Sequence, residues 1–337
     1  MEKFHLRPYT PSDAQAVVDV INAASMHVLG YPCGVVDAVG NIWAFKYVPI
    51  ASEKIVTVNE QGQVMGYAYF TNDDNIVTEL GGAVHPEYWN QGIGSALIEW
   101  AEARATAASQ NAPVGIKTAL QTSLFGTEYN AIQLFTEHGF APVREWVHLA
   151  IELQAPPVVP ALPDLVIREM DLDNDWDIVS PAMDEAFADH WGNIHEGSFE
   201  AIEQDPANPE REAESEHPTD DSYSNAPGYC FIALDGETVA GGILCNAKLV
   251  ERKDTGRVGS IFVRPAYRKR GIARALMLTA FDAFWKNGFR RVITDTDANS
   301  FTDSTRLYKG LGMQPYRSEF TYEKEIRPGR EVRRLEM

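Results

Sequence analysis

An internal repeat is the feature that most constrains how this chain can fold. Residues 83–97 match residues 262–276 at a constant offset of 179, which places Gly92 on Gly271. Because a repeated sequence specifies a repeated unit of structure, we predict a tandem duplication of one domain. Shorter matches lie on either side, at 63–66 and 238–241 and at 134–140 and 307–313.

A proline-rich segment separates the two copies. Residues 154–163 contain four prolines in ten positions, which excludes a helix or a central strand. A length of 337 residues suits two domains of ordinary size. We therefore predict an N-terminal domain at 1–153, a linker at 154–164 and a C-terminal domain at 165–337.

Both copies show the same alternation of strand and helix patterns, which predicts an α/β fold, more closely an α+β sandwich around a mixed sheet. The predicted order is a strand, helices, a hairpin, a strand–loop–helix, a strand, a closing helix and a last strand. The predicted positions are first strands at 4–7 and 165–168, hairpins around Gly66 and Gly236, and later strands at 114–118 and 291–296.

The strand–loop–helix of the second copy predicts an anion site. The apolar run 261–263 ends at Pro265, a basic loop follows, and Gly271 precedes an amphipathic helix. The first turn of a helix has unpaired backbone N–H groups and a positive dipole end, so a phosphate binds there. A glycine leaves those amides accessible.

The pattern Arg268-x-x-Gly271-x-Ala273 resembles the acetyl-CoA pyrophosphate loop of the GCN5-related N-acetyltransferases (GNAT). The segment from Leu307 to Met313 resembles the closing helix of the same family. This resemblance implies two tandem GNAT domains, each a mixed, mostly antiparallel sheet flanked by helices. It also implies that the fourth and fifth strands splay apart to admit CoA.

The resemblance also implies site residues. In the family, the tyrosine of the closing helix commonly protonates the CoA thiolate, and here it is Tyr308. A phenol, with a pKa of about 10, is protonated at neutral pH and can serve as that acid. Asn299 and Ser300 contact the cofactor or cap the closing helix. The cofactor-binding set is Ile261, Phe262, Val263, Arg268, Lys269, Arg270, Gly271, Ile272, Ala273, Arg274 and Asn299, with no metal.

The two copies differ where chemistry needs particular side chains. Five Lys or Arg residues lie between positions 264 and 274, whereas positions 86–103 contain none. Trp89 occupies the position of Arg268, and Phe135, which has no hydroxyl, that of Tyr308. We therefore predict that the second copy is catalytic and the first degenerate.

The sequence does not identify the general base or the acceptor site. Many relatives use a carboxylate on the fourth strand, but residues 257–262 contain none. Asp295, Asp297, a loop carboxylate or a water chain are the alternatives. His190 and Trp191 are either a packed aromatic pair or part of the acceptor site, and the same choice applies to Trp43 and Tyr47.

Composition limits the partners. A net charge of −19 disfavours nucleic acid and anionic membranes. No apolar run approaches the roughly 20 residues of a membrane span, and the start lacks a signal-peptide pattern. Three cysteines without metal or disulfide spacing suit a cytoplasmic protein. The acidic segment 203–227 is either a solvated loop or a collar that attracts a cationic acceptor.

These observations favour an N-acetyltransferase that moves an acetyl group from acetyl-CoA to a primary amine of a small molecule. The arrangement of two copies is similar to the mycothiol synthase group. Tandem domains suffice for a monomer. The alternatives are a CoA-binding sensor or scaffold without turnover, and an enzyme that acetylates a protein N-terminus or lysine.

Overall fold

The computed structural model describes residues 3–36, 42–43, 53–192, 228–247, 254–299 and 304–333. The acidic segment 203–227, Tyr47, Ser300 and the side chain of Trp43 lie outside the described residues. The first half of the chain contains β1 (Phe4–Pro8), α1 (Ala14–Leu29), β2 (Val35–Val36), β3 (Ile42–Trp43), β4 (Glu53–Asn59), β5 (Val64–Asn72), β6 (Val77–Val84), α2 (Ile93–Ser109), β7 (Thr118–Phe125), α3 (Tyr129–Glu137) and β8 (Ala141–Glu152).

Over its described residues, the second half repeats this order without counterparts of β2 and β3. Its elements are β9 (Val166–Glu169), α4 (Trp176–Phe187), β10 (Phe231–Asp235), β11 (Thr238–Asn246), β12 (Thr255–Val263), α5 (Ile272–Lys286), β13 (Arg291–Asp297), α6 (Ser304–Gly310) and β14 (Gln314–Arg327). The β6–β7 and β12–β13 pairs are parallel, and the other pairs described below are antiparallel. The predicted fold class, a mixed and mostly antiparallel sheet flanked by helices, is confirmed.

The compact units divide the chain differently from the sequence repeat. One unit contains Met1–Glu145 and Ser318–Val332, and the other Trp146–Arg317 and Arg333–Met337. Each half therefore contributes its last strand to the unit that the other half builds. The predicted boundaries follow the repeat, whereas the units divide the chain within β8 and β14. Because both copies present the same open edge, a strand from either copy has an equivalent place to pair.

The first unit, as far as it is described, has the strand order β1-β4-β5-β6-β7-β14. Helix α1 packs Val17 and Val18 against Tyr67 on one face of this sheet. Helix α2 packs Ile93 and Leu97 in a second apolar cluster with Leu120. Alternate residues of a strand point to opposite faces, so one sheet can hold both helices.

The second unit, over its described residues, has the order β8-β13-β12-β11-β10-β9. Helix α4 lies in a cluster with Phe262 of β12. Helix α5 lies in another with Ile261 and Val263, the neighbours of Phe262 in that strand. The alternation along β12 therefore places α4 and α5 on opposite faces of the sheet.

Strand β14 is fixed in the first unit by buried polar contacts. Glu323 accepts hydrogen bonds from Lys117 at 2.8 Å and from Gln121 at 2.7 Å. The Arg327 guanidinium donates to backbone carbonyls of the segment 109–116 that precedes β7. Side chains of the second half thus satisfy polar groups that the first half leaves exposed.

Two predicted element positions were wrong. The first hairpin turns at Gly62, where φ is 81°, and Gly66 lies inside β5. A Cβ on Gly66 would lie 2.8 Å from Thr57 Oγ1, so this glycine permits a close approach and makes no turn. Strand β7 begins at Thr118. Pro113, Val114 and Gly115, whose φ is 76°, lie in the turn before it.

Candidate active site

The two parallel strands of the second unit separate before they end. The β12–β13 register runs from Thr255 opposite Arg291 to Arg257 opposite Ile293. Both strands continue beyond this point, to Val263 and Asp297. In the first unit, β6 and β7 pair from Val77 to Glu79 and then continue in the same way. The predicted splay is therefore present in both units.

The loop after β12 forms an open helix start. Lys269 and Gly271 have φ angles of 63° and 81°, and Gly271 is the N-cap of α5. The first helical hydrogen bond runs from the Ala275 N–H to the Gly271 carbonyl at 3.0 Å. The N–H groups of residues 272–274 therefore lie at the open end of the helix. A Cβ on Gly271 would meet nothing within 4 Å, so a ligand has room beside these amides.

The loop of the first unit has almost the same backbone. Trp89 has φ −63° and ψ 156°, and Arg268 has φ −62° and ψ 158°. Gly92, with φ 86°, caps α2 as Gly271 caps α5. The difference between the copies therefore lies in their side chains, because both backbones form an anion cradle.

Two of the five predicted cations of the second loop are paired with acids near α4. Arg264 lies 2.6 Å from Glu185, and Arg268 lies 2.7 Å from Asp189. These pairs reduce the charge available to a polyanion below that of five free cations. The number of cations alone therefore overestimates the positive charge that this loop offers to a polyanion.

The other three cations are exposed. The Arg270 guanidinium lies 5.4 Å from the centre of the Tyr267 ring. Arg274 donates a hydrogen bond to the Gly310 carbonyl at 3.1 Å, which joins α5 to the closing helix. Lys269 is exposed beside them. These side chains border the helix start, where their charge can reach a phosphate.

Arg268 and Trp89 serve the same structural purpose. Arg268 Nε donates to the Val263 carbonyl at 3.3 Å, and Trp89 Nε1 donates to the Val84 carbonyl at 2.8 Å. Each side chain ties the loop to the end of the preceding strand. The predicted contact of Arg268 with a cofactor stays a prediction, because its guanidinium is bonded to Asp189.

The predicted cofactor residues of β12 and early α5 are mostly buried. Ile261 and Val263 pack toward α5, while Phe262 lies in the cluster with α4. The Ile272 side chain is also buried, and Ala273 is partly buried. A ligand in the splay would therefore meet the backbone of these strand residues.

Tyr308 is buried at the point where the strands separate. Its side chain is 3% exposed, and its hydroxyl shares a hydrogen bond with Thr294. The Thr294 hydroxyl donates to the Val258 carbonyl at 3.1 Å across the two strands. Burial, with a smaller effect of Asp295, raises the pKa of Tyr308 well above its ordinary value. The hydroxyl is therefore protonated at neutral pH. Phe135 occupies this position in the first half.

The two candidate carboxylates of β13 are both engaged. Asp295 Oδ1 accepts a hydrogen bond from Arg257 at 2.9 Å. Asp297 is 7% exposed, and its Oδ1 accepts a hydrogen bond from the Asn299 backbone N–H at 2.9 Å. Asn299 thus closes a turn at the end of β13, and its predicted contact with a cofactor stays a prediction.

A cluster at the end of α4 joins His190 and Trp191 to Asp189, which no sequence pattern singled out. His190 Nδ1 lies 3.2 Å from Asp189 Oδ1, and the His190 ring contacts Phe187 with centroids 4.8 Å apart. Trp191 contacts Trp146 edge to face at 6.4 Å. Asp189 joins this cluster to the loop through Arg268. The sequence favoured a packed aromatic pair over an acceptor site, and both rings do pack on other aromatic rings.

A second repeat relates the segment that contains this cluster to a segment of the first half. Arg7 forms a two-pronged ion pair with Asp13, and Arg168 forms the same pair with Asp175. A glycine of positive φ follows each helix, Gly30 at 81° directly after α1 and Gly192 at 87° after the turn that follows α4. This correspondence, which the sequence could have revealed, aligns Asp189 with His27 and His190 with Val28.

Comparison with protein families identifies both halves. The acetyltransferase (GNAT) family model matches residues 192–313, and an acetyltransferase (GNAT) domain model matches residues 51–142. Between them the two matches take in more than half of the chain. Together with the splayed strands and the open helix starts, they define the class as an acetyltransferase.

Individual relatives agree. A mycothiol acetyltransferase from Renibacterium salmoninarum is 25% identical over 71% of this chain and 65% of its own length. A second, from Salinispora arenicola, is 27% identical over 78% of each. The crystal structure of a GCN5-related N-acetyltransferase from Sphaerobacter thermophilus, 25% identical, covers 98% of both chains with a TM-score of 0.71. The chain belongs to the GNAT acetyltransferase family and carries two domains of it in tandem, which confirms the predicted family and enzyme class.

The second loop fits acetyl-CoA, the acetyl donor of this family. Its helix start offers N–H groups, the space beside Gly271 is open, and Lys269 and Arg270 are exposed. In the part of the chain that the structure describes, no three His, Cys, Asp or Glu side chains are grouped as metal ligands. Among the same residues, no helix has both the length and the apolar content to cross a membrane.

Proposed function

We propose that the second half of the chain transfers the acetyl group of acetyl-CoA directly to a primary amine of a small molecule. The observation that carries this proposal is the buried Tyr308 hydroxyl, which lies where β12 and β13 separate and next to the helix that follows the loop. An acid at the splay is where a departing thiolate needs a proton.

Each group of the site has a task in this reaction. The N–H groups of residues 272–274 would bind the pyrophosphate, and the exposed cations beside them would pair with its charge. The pantetheine arm would follow the splay, whose free backbone groups can bond to its amides. Acetyl-CoA supplies the activated acetyl group. Tyr308 would then donate its proton to the sulfur as the C–S bond breaks.

The first half is proposed to have lost this chemistry while it kept the backbone of the loop. Phe135 has no proton to donate, and its ring packs edge to face on Phe140 with centroids 5.0 Å apart. The positions of the five cations are occupied in this half by His85, Trp89, Asn90, Gln91 and Ser95. This half would therefore contribute structure, and its β8 completes the sheet of the second unit.

The acceptor is proposed to be a small cationic amine. The relatives named above are mycothiol acetyltransferases, and an overall charge of −19 favours the approach of a cation. The acceptor of those relatives is one candidate, although the described part of β12 carries no carboxylate toward it. We further propose that the protein acts in the cytoplasm and as a single chain.

A second candidate is a CoA-binding sensor without turnover. It is favoured by one observation, that Asp295 and Asp297 already accept hydrogen bonds from protein groups. If no other base exists, the amine would stay protonated and unreactive.

Release of the CoA thiol by the full-length chain separates these functions. The protein would be incubated with acetyl-CoA and one amine at a time, namely glucosamine, phenethylamine, spermidine or cysteine amide. A reaction without any amine serves as the blank. Thiol release that depends on one amine, with the acetylated amine identified by mass spectrometry, supports the transferase. Tight acetyl-CoA binding in calorimetry, with no amine-dependent release, supports the sensor.

A further inference from the structure

The two halves differ at a second position that matters for amine chemistry. The repeat aligns Tyr308 with Phe135. Alignment on Asp13 and Asp175 places His190 at the position of Val28, although Val28 lies within α1 and His190 follows the end of α4. Acetyl transfer to an amine needs one group that takes a proton and one that gives a proton. The second half has a titratable side chain at both positions, whereas the first has an apolar side chain at both.

The His190 ring is joined to the cofactor loop by a chain of polar contacts. The distance from Asp189 Oδ1 to His190 Nδ1 is 3.2 Å. The other oxygen of this carboxylate, Oδ2, accepts a hydrogen bond from Arg268 at 2.7 Å. Arg268 is held in turn by the Ala186 carbonyl at 2.9 Å. When Nδ1–H donates to the carboxylate, the lone pair of the neutral ring lies on Nε2. This is the tautomer that a base requires.

Among the described residues, charged groups of three elements reach His190. Asp189 belongs to its own turn, Arg268 to the loop after β12, and Asp297 to the end of β13. Burial is the largest influence and lowers the pKa of His190, against the opposite effect of the two carboxylates. A lowered pKa keeps the imidazole neutral at pH 7, which is the form that can accept a proton.

We propose that His190 is the general base of the second unit and that it takes a proton from the ammonium group of the acceptor. Asp189 and Arg268 act as positioning residues that hold the ring and its tautomer. This inference rests on the proposed function. It replaces the carboxylate bases, since one oxygen each of Asp295 and Asp297 already accepts a hydrogen bond, from a guanidinium and a backbone N–H respectively.

The proton balance of the reaction is complete with this pair of residues. Nε2 of His190 takes one proton from R–NH3+, and the resulting amine forms a bond to the acetyl carbon. The C–S bond breaks, and the sulfur takes the Tyr308 proton. The second proton lost by the nitrogen restores Tyr308, and the imidazolium releases its proton to water. The products are the amide, the CoA thiol and one proton.

The test measures kcat of the full-length chain between pH 5 and pH 8, with the amine that the panel identifies. We expect kcat of the unaltered protein to fall at low pH with an apparent pKa below about 6.5. In His190→Gln, we expect kcat to be about 10²–10⁴-fold lower and this acid limb to be absent. The Kd for acetyl-CoA should change less than about twofold.

Two further variants separate proton transfer from structural effects. His27→Gln alters a histidine at the matching helix end of the first unit, and kcat and its pH profile should not change. Asp189→Asn removes an anion beside the ring, so the acid limb should shift to lower pH while kcat falls. If the His190→Gln protein binds acetyl-CoA more weakly, the His190→Asn protein is measured instead. The asparagine amide can still donate a hydrogen bond to Asp189.

The outcomes are distinct. An acid limb that persists in the His190 variant, or a kcat within about threefold of the unaltered protein, overturns the assignment of the base and leaves the acetyltransferase intact. Failure of the unaltered protein to acetylate any amine of the panel overturns the proposed function and the base together.

Discussion

Glu323 accepts a hydrogen bond at 2.8 Å from Lys117, a residue 206 positions earlier in the sequence. Both belong to the first unit, although the repeat assigns them to different halves. The pair is nearly buried, and Gln121 donates to the same carboxylate. The contact thus binds the exchanged strand β14 to the segment that leads into β7.

Glu323→Ala should lower the free energy of unfolding by about 3 kcal/mol, because it leaves the Lys117 charge without its main buried partner. Urea unfolding of the full-length chain measures this loss. Glu152→Ala is the matched control, since Glu152 forms a more exposed pair with Arg291 at 2.7 Å in the second unit. Its loss should stay below about 1 kcal/mol. Equal losses in the two variants would show that the exchanged strand is held by other contacts.

Gly271→Val should abolish acetyl-CoA binding to the second unit. Its φ of 81° is unfavourable for a branched residue, and the new side chain would occupy the space beside the helix-start amides. Gly92→Val imposes the same strain on the first unit and serves as the control. We expect turnover to be lost in the first variant and nearly retained in the second, with both folded by circular dichroism. An equal loss of turnover would contradict the assignment of the working half.

Tyr308→Phe should lower kcat at least about tenfold with little change in the Kd for acetyl-CoA, because only the proton donor is removed. Phe135→Tyr adds a hydroxyl at the matching position of the first half and should restore nothing in that background. Single-turnover measurements would establish that the chemical step is observed. Unchanged turnover under those conditions would make Tyr308 a packing residue.

The exposed cations of the loop should carry the salt dependence of cofactor binding. Replacing Lys269 and Arg270 by Gln should weaken acetyl-CoA binding about tenfold, since each removes an exposed ion pair worth up to about 1 kcal/mol. Arg264→Gln should change the Kd less than about twofold, because Arg264 is paired with Glu185. Calorimetry at two salt concentrations tests both. A larger effect of Arg264 would mean that this pair opens when the ligand binds.

Asp13 should make the stability of the first unit depend on acid pH. The hydrogen bonds from Arg7 are the largest cause that lowers the pKa of Asp13 from 3.8 to about 2. A folded-state pKa below the unfolded value stabilises the protein above about pH 4, and this contribution disappears as the pH falls toward 2. Asp13→Asn should therefore cost about 2 kcal/mol at pH 7 and almost nothing near pH 2. A cost that does not vary with pH would contradict the role of the ion pair.

Local features of the site could be predicted because each depends on a few adjacent residues. Gly271 needs a positive φ at a helix start, and the repeat confirmed the same need at Gly92. Tyr308 was assigned from the resemblance of residues 307–313 to the closing helix of the family, and its role as the acid stays a prediction. These predictions required no knowledge of which strands pair.

Other features depend on contacts between distant segments, and sequence patterns do not encode them. The backbone edges of the two copies are equivalent, and the choice between them follows side-chain contacts such as those of Glu323 with Lys117 and Gln121, which lie more than 200 positions earlier. Arg268 was read as a ligand for phosphate, since its bond to Asp189 joins residues 79 positions apart. Gly66 was read as a turn because the close approach of Thr57 depends on the pairing of β4 and β5.

The exchange of last strands has a consequence for synthesis on the ribosome. Residues 318–332, which complete the first unit, are translated almost 200 positions after β7, to which they pair. Until then the edge of β7 is open, and a nascent chain is exposed to pairing with a neighbouring copy on the same message. A chain that stops after α6 would carry this open edge permanently. Gene fragments that end at the proline-rich segment would therefore yield an incomplete sheet in both units, and activity would return only when the two fragments are produced together.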